Sequence, residues 1–199
     1  FAKGQRPTGS SDPYALRRAG NGIVQILWDR GWSLPLQTLL RQAAAHWSGL
    51  FPAFEFDAVA LADDLGQLLR QRMVSQFEEE GFPADLVQAV SGEAVSSERL
   101  LQDPVDARER LLLLKELRAD GRLQAVQAVV QRASNLAGKG DLDASQLLPG
   151  PVIEPALFDS PSESDLLEQL QRLSPLAQSR NYEGLAAGLK DVARALEAF

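Results

Sequence analysis

The 199-residue sequence contains no cysteine and only one histidine, His46. The absence of cysteine excludes disulfides, thiolate nucleophiles and thiolate metal ligands together. His46 has no acidic neighbour at a spacing that suits zinc, and a serine nucleophile needs a histidine base that this chain does not offer. The sequence therefore predicts neither a catalytic residue nor a metal ligand in this chain.

Long hydrophobic runs are also missing. No window approaches the roughly 18 apolar residues that a membrane-spanning helix requires, and the N-terminus does not resemble a secretion signal. The chain begins at Phe1 and its only methionine is Met73. We therefore expect a processed product or an excised piece of a larger chain. We expect it to be cytoplasmic and to have no membrane partner.

An excess of positive charge is lacking as well, since the formal net charge is −7. Proteins that bind nucleic acid mainly by electrostatics usually present a basic face, so the overall charge argues against such binding. The charge is unevenly distributed, however. Acidic residues concentrate at 63–64, 78–80 and 154–168, whereas residues 1–31 are predominantly basic. The composition therefore allows a local basic surface on an acidic body.

No segment alternates with a period of two for long enough to predict a strand, and apolar residues recur at helical spacing throughout. Start and stop signals divide the pattern into helices. The expected segments are 13–30, 35–50, 57–80, a short helix after Pro83, 104–119, 122–137, 162–180 and 182–199. This pattern predicts an all-α fold, a multi-helix bundle with antiparallel hairpins at about 104–137 and 162–199 packed together. Residues 138–161 are expected to form a long irregular connection.

The first helix has a strong start signal. Asp12 can accept hydrogen bonds from free backbone N–H groups, and Pro13 suits the first helical position. Apolar residues then recur at helical spacing. The predicted buried stripe consists of Leu16, Ala19, Ile23 and Leu27. Gly20-Asn21-Gly22 interrupts this helix and predicts a close contact with another helix.

The helix at 122–137 presents a polar side with possible binding chemistry. We expect its buried stripe to be Leu123, Val126, Val130, Ala133 and Ala137. Arg132 and Asn135 are then neighbours on the exposed surface. A planar arginine and an amide are groups that read the edges of unstacked RNA bases. The alternative interpretation is an ordinary polar helix face, and the residues alone favour that alternative.

Several motifs resemble those of one family. The run Pro7-Thr8-Gly9-Ser10-Ser11-Asp12-Pro13-Tyr14-Ala15-Leu16-Arg17-Arg18 is similar to a signature of the beta subunit of bacterial glycyl-tRNA synthetase. Residues 69–90, with Arg72, Gly81 and Asp85, resemble a second segment of this family. Residues 131–136 resemble the end of a helix in its anticodon-binding domain, although Gln131 stands where lysine is usual.

The resemblance implies a domain organisation and a function. Residues 1–32 would be the tail of an HD-like domain with its exit helix, 33–97 a helical connecting region, and 98–199 an anticodon-binding-like domain. The whole enzyme would contain two alpha and two beta subunits and attach glycine to its tRNA with ATP and magnesium. Activation would belong to the alpha subunit. This chain would bind no cofactor and would hold the anticodon arm through Arg132, Asn135 and, more weakly, Lys139.

Two expectations remain open at this point. A rival hypothesis is a helical interaction or docking scaffold that binds protein without RNA, which the acidic balance favours. In addition, the helix at 182–199 brings no glycine, asparagine or proline to end it. We therefore expect the chain to be cut short at its C-terminus and to expose an apolar groove near Phe199 and the helix at 162–180.

Overall fold

The computed structural model describes residues 1–53, 55–139 and 153–198. Helices dominate this part of the chain, and the sequence-based prediction of an all-α fold is confirmed. Outside the helices, the described residues contain one isolated β-bridge, between Thr8 and Ser11. The helices are α1 (Leu16–Arg30), α2 (Leu36–Leu50), α3 (Ala58–Glu79), α4 (Ala84–Ser91), α5 (Ser97–Gln102), α6 (Pro104–Ala119), α7 (Leu123–Ala137), α8 (Pro161–Gln178) and α9 (Tyr182–Ala198), with one 3₁₀ turn at Pro155–Leu157.

The chain forms two compact units, Phe1–Lys115 and Glu116–Phe199. The predicted hairpin at 104–137 is divided between them, with most of α6 in the first unit and α7 in the second. The division falls inside α6 and coincides with neither of the boundaries predicted near residues 32 and 97. Compact units are defined by packing, whereas those boundaries refer to family domains, so the domain assignments stay predictions.

In the first unit, α3 is the central element and packs against α1, α2, α4 and α5. The core is built on aromatic rings. Trp28 stacks on Phe77 with 4.7 Å between ring centroids, and Phe82 meets Phe77 edge-on at 6.0 Å. The Trp28 indole N–H donates to the carbonyl oxygen of Pro104 at 3.0 Å, which satisfies the polar end of the ring.

Most predicted helix starts are confirmed by their hydrogen bonds. Asp57 accepts from two backbone N–H groups of α3, Asp103 does the same for α6, and Ser160 forms a capping box with Glu163. Asp12 also accepts from the N–H groups of Leu16 and Arg17, at 2.8 and 3.0 Å. Pro13, however, lies in a turn before α1 and is not its first residue. Ala15 precedes the helix with a positive φ of 55°.

The buried face of α1 differs from the predicted stripe. Gly20, Val24, Leu27 and Trp28 are buried, whereas Ala19 is exposed and Ile23 is 44% exposed. Gly20 explains the difference, because a Cβ built at this position would lie 2.9 Å from the Cγ of Arg72 on α3. The predicted close contact at this glycine is confirmed, and the two helices approach along a face that includes it.

The second unit is organised around α9, which packs against α7 and α8. Its core contains Val129, Val192 and Leu196, with Leu173 and Leu189 packed against them. The predicted hairpin at 162–199 is confirmed, since α8 and α9 pack together across a short turn. A Cβ at Gly188 would lie 2.4 Å from a methyl group of Leu173, so glycine permits this approach.

Helix α5 is an addition to the predicted elements, because its six residues are too few to show a helical period in the sequence. The expected groove beside Phe199 and most of the irregular connection at 138–161 lie outside the described residues, so both stay predictions. Of the helices that the structure describes, none combines the length and apolar composition needed to cross a membrane.

Candidate RNA-binding surface

Helix α7 carries Arg132 and Asn135, two of the three residues predicted to bind tRNA, and its orientation follows from its apolar contacts. Leu123 and Val129 are buried, and Leu136 packs against the core of the second unit. The predicted stripe was partly wrong, because Val130 is 51% exposed and Ala133 and Ala137 are also exposed. The buried face therefore runs through 123, 129 and 136.

This orientation leaves the predicted binding residues accessible. Arg132, Asn135 and Lys139 are all exposed. Arg132 and Asn135 are separated by three residues and lie one turn apart on the same helix, while Lys139 follows the helix end at Gly138. Arg132 has no ion-pair or hydrogen-bond partner in the part of the chain that the structure describes. Its guanidinium can therefore bind a ligand without first breaking an internal contact.

The structure adds one residue that the sequence analysis did not place in the site. The Gln131 amide donates a hydrogen bond to the side-chain oxygen of Asn135 at 3.0 Å. The signal in the sequence is the spacing of four residues, which brings side chains together on a helix surface. Because this bond occupies the Asn135 oxygen, the amide nitrogen of Asn135 remains available to donate to an acceptor on a ligand.

The opposite end of α7 is held by a small charged network. The Arg122 guanidinium donates to Asp120 at 2.6 Å and to Glu183 of α9 at 2.7 Å, and the Arg122 backbone N–H donates to Asp120 at 3.0 Å. The backbone hydrogen bond is the largest cause that lowers the pKa of Asp120, and the hydrogen bond to Glu183 is the largest that raises the pKa of Arg122. The network ties the start of α7 to α9 and so orients the helix that presents Arg132.

The described residues offer little to other chemistries. They contain no group of three or more histidine, aspartate or glutamate side chains placed to hold a metal ion. Two of the acidic side chains form ion pairs: Asp64 pairs with Arg6, and Glu80 pairs with Arg108 at 3.0 Å. The exposed arginine and amide groups of α7 are suited to hydrogen bonding with a ligand.

Comparison with known proteins agrees with the motifs of the N-terminal half. The profile described as "Glycyl-tRNA synthetase beta subunit" matches residues 1–92. Over these residues the chain is similar to the glycyl-tRNA synthetase beta subunit family. The matched region contains the Asp12 cap, the contact of Gly20 with Arg72, and helices α1 to α4.

Relatives named as glycine–tRNA ligase beta subunits match over the whole chain. The proteins of Acaryochloris marina and of a Picosynechococcus strain are each 38% identical to it over 100% of its length. The protein of Ectopseudomonas mendocina is 30% identical, also over 100% of the chain. The chain spans only 28% of the length of the first two relatives and 27% of the third.

Proposed function

We propose that this chain is the tRNA-binding portion of a glycine–tRNA ligase beta subunit, which holds the anticodon arm while glycine is attached. The observation that carries the proposal is the match of relatives with that name over the full chain at up to 38% identity. The exposure of Arg132 and Asn135 on α7 supports the assignment of the RNA contact to this helix.

In the proposed complex, the chain acts by positioning. Arg132 and Asn135 contact unstacked anticodon-arm bases, and Lys139 adds a weaker contact beyond the helix end. The Arg132 fork donates two parallel hydrogen bonds, and the amide nitrogen of Asn135 donates a third. Holding the arm in this way directs the distant acceptor end of the tRNA to a catalytic site on another subunit.

The remaining components belong to the whole enzyme. We propose an assembly of two alpha and two beta subunits, cytoplasmic, in which the alpha subunit activates glycine with ATP and magnesium. In this proposal the use of ATP and magnesium belongs to that subunit and not to this chain. Their contribution to catalysis is the correct placement of the tRNA.

The proposal is tested by titrating labelled glycine tRNA with the 199-residue chain and its variants. Arg132→Ala should weaken binding by about 1–3 kcal/mol, or roughly 5- to 150-fold, as for a lost base-edge contact. Arg172→Ala is the matched control, because Arg172 is an exposed arginine on α8 whose one ion-pair partner among the described residues is Glu168, one turn away. It removes the same charge from the same unit and should change the affinity less than twofold.

The same variants in the complete enzyme test the function itself. Arg132→Ala should lower kcat/KM for glycine tRNA by a similar factor, while activation of glycine without tRNA stays unchanged. Equal tRNA affinity and equal charging in Arg132→Ala and Arg172→Ala would contradict the assignment to α7. If the wild-type chain and the complete enzyme's beta subunit bind no tRNA at all, the docking-scaffold hypothesis replaces the proposal.

A further inference from the structure

A second polar surface lies in the first unit, far along the sequence from Arg132. A cleft of about 1000 Å³ opens between α3 and the segment that joins α4 to α5. Amide and hydroxyl side chains line much of it, among them Gln71, Ser75 and Gln88. The charged residues of the lining are Arg70, Arg72 and Glu93, so the cleft has a positive balance on an otherwise acidic chain.

Arg70 builds one wall of this cleft. Its side chain is only 8% exposed and donates to the carbonyl oxygens of Gly92, at 2.7 Å, and Val95, and to the hydroxyl of Ser97 at 3.0 Å. These acceptors are uncharged, and the Nε of Arg70 is buried without a hydrogen-bond partner. The wall therefore contains a buried positive charge that no carboxylate neutralises in the part of the chain that the structure describes.

Arg72 lies two residues further along α3 and has a different environment. Its Nε is also buried without a partner, and within the described ranges its guanidinium forms neither a hydrogen bond nor an ion pair. Its stem is fixed against Gly20 of α1, where only the absence of a Cβ leaves room. Arg72 is thus half-buried and held in place, yet its hydrogen-bonding capacity is unused.

Two arginines without acidic partners in one cleft carry a desolvation cost that a bound anion would offset. Phosphate matches the arginine fork because it accepts two parallel hydrogen bonds. The cleft is also larger than one phosphate group, and its amides can both donate and accept, as a nucleoside requires. We infer that this cleft is a binding site for a phosphate group carried by a nucleotide, with Arg72 as the direct contact and Arg70 as the residue that shapes the wall.

The inference does not depend on the role proposed for α7. It is tested on the 199-residue chain with three probes: inorganic phosphate, AMP and a single-stranded RNA octamer, with adenosine and succinate as control ligands. Binding of the first two is followed by ³¹P line broadening, and binding of the octamer by fluorescence anisotropy. AMP should bind, whereas adenosine and succinate should not compete with it.

The variants assign the binding to the cleft. Arg72→Gln should weaken binding of phosphate-bearing probes at least fivefold, and Arg72→Lys should retain part of the affinity because it keeps the charge but loses the fork. Glu93→Gln removes an exposed acidic residue of the lining and should strengthen binding. Arg30→Gln, an exposed arginine of α1 outside the cleft, should change it less than twofold, and so should Arg132→Ala for AMP.

The outcomes separate the sources of the phosphate. Arg72-dependent binding of AMP indicates a free nucleotide, and Arg72-dependent binding of the octamer alone indicates an RNA strand; both support the inference. Loss of octamer binding only in Arg132→Ala, together with no Arg72-dependent binding of AMP, would support the proposed function and overturn the cleft site. The inference is also overturned if no probe binds, if adenosine competes as well as AMP, or if both Arg72→Gln and Glu93→Gln bind like the wild type.

Discussion

Arg70 and Arg72 are both arginines and lie two positions apart on α3, but they differ in burial and in hydrogen bonding. Arg70 is buried and hydrogen-bonded to the segment between α4 and α5. Arg72 is half-buried and has no hydrogen-bond partner among the residues described. The sequence does not predict which of the two arginines is buried, because the acceptors of Arg70 include backbone carbonyls whose position depends on the fold.

This difference predicts different effects on stability. Arg70→Gln should lower the free energy of unfolding by about 2–4 kcal/mol, because hydrogen bonds from a charged donor contribute about 1.5–3 kcal/mol each. Arg72→Gln should lower it by less than about 1 kcal/mol, since no hydrogen bond is lost. Urea denaturation of both variants measures the difference. Equal losses in the two variants would show that the segment does not depend on Arg70.

Asp120 predicts a pH effect at the start of α7. Its pKa is lowered from the ordinary value of 3.8, chiefly by the hydrogen bond from the backbone N–H of Arg122. A pKa that is lower in the folded state contributes stability above pH 3.8, and this contribution is lost as the pH falls through the lowered value. In Asp120→Asn, the free energy of unfolding should therefore fall less steeply than in the wild type over this acidic range. Urea denaturation at a series of pH values measures both slopes, and parallel curves would contradict the prediction.

At the scale of elements, helix limits were more predictable from the sequence than helix faces. Asp57, Asp103 and the Ser160–Glu163 box mark starts by local hydrogen bonds that involve only neighbouring residues, so a local pattern suffices. Buried faces depend on the partner helix instead. In α1 the contact with α3 is made at Gly20, and a search for apolar side chains does not find a glycine. In α7 Val129 is buried and the neighbouring Val130 is exposed.

In the candidate site, too, local features could be predicted from the sequence and tertiary contacts could not. The exposure of Arg132 and Asn135 followed from the sequence because both lie on the side of α7 opposite the predicted buried stripe. The observed buried face, through Val129 and Leu136, runs closer to Arg132 than the predicted stripe does, and Arg132 is exposed all the same. The spacing of Gln131 and Asn135 permits their hydrogen bond, but spacing alone does not select this pair among the other polar residues of the helix. The cleft at Arg72 could not be predicted, since α3, the end of α4 and the segment before α5 meet there only through tertiary packing.

Two glycines of α1 give a matched test of this packing. A Cβ at Gly22 would meet no atom within 4 Å, whereas a Cβ at Gly20 would lie 2.9 Å from the Cγ of Arg72. Alanine is about 1 kcal/mol more favourable than glycine inside a helix. Gly22→Ala should therefore raise the free energy of unfolding by about 0.5–1 kcal/mol, while Gly20→Ala should lower it by about 1 kcal/mol through the displaced side chain.

The comparison is made by urea denaturation under one set of conditions. Because both substitutions lie on the same helix, the difference between them reports the contact of α1 with α3 and cancels the helix preference. If both variants are stabilised equally, α3 does not approach α1 as closely as this contact requires.

At the scale of the whole molecule, the negative net charge opposes the binding of tRNA that we propose. A chain with a formal charge of −7 repels a polyanion at long range. Binding of tRNA must then come from a few local cations that approach phosphates or bases closely, such as Arg132, and not from a broad basic face. This arrangement predicts a weak dependence of tRNA affinity on salt, because few counterions are released.

The salt dependence can be divided among residues. Each phosphate neutralised by a cation contributes about 0.7–0.9 to the slope of log affinity against log salt. If Arg132 contacts a phosphate, Arg132→Ala should reduce both the affinity for glycine tRNA and the slope, the slope by about that amount. If Arg132 contacts only a base, the substitution should reduce the affinity and leave the slope unchanged. Asn135→Ala removes no charge, so it should lower the affinity without changing the slope. Arg172→Ala should change neither the affinity nor the slope. Titrations over a several-fold range of salt concentration measure these quantities. A steep wild-type slope that no α7 variant alters would place the RNA on another surface of the chain, because the binding cations would then lie outside this helix.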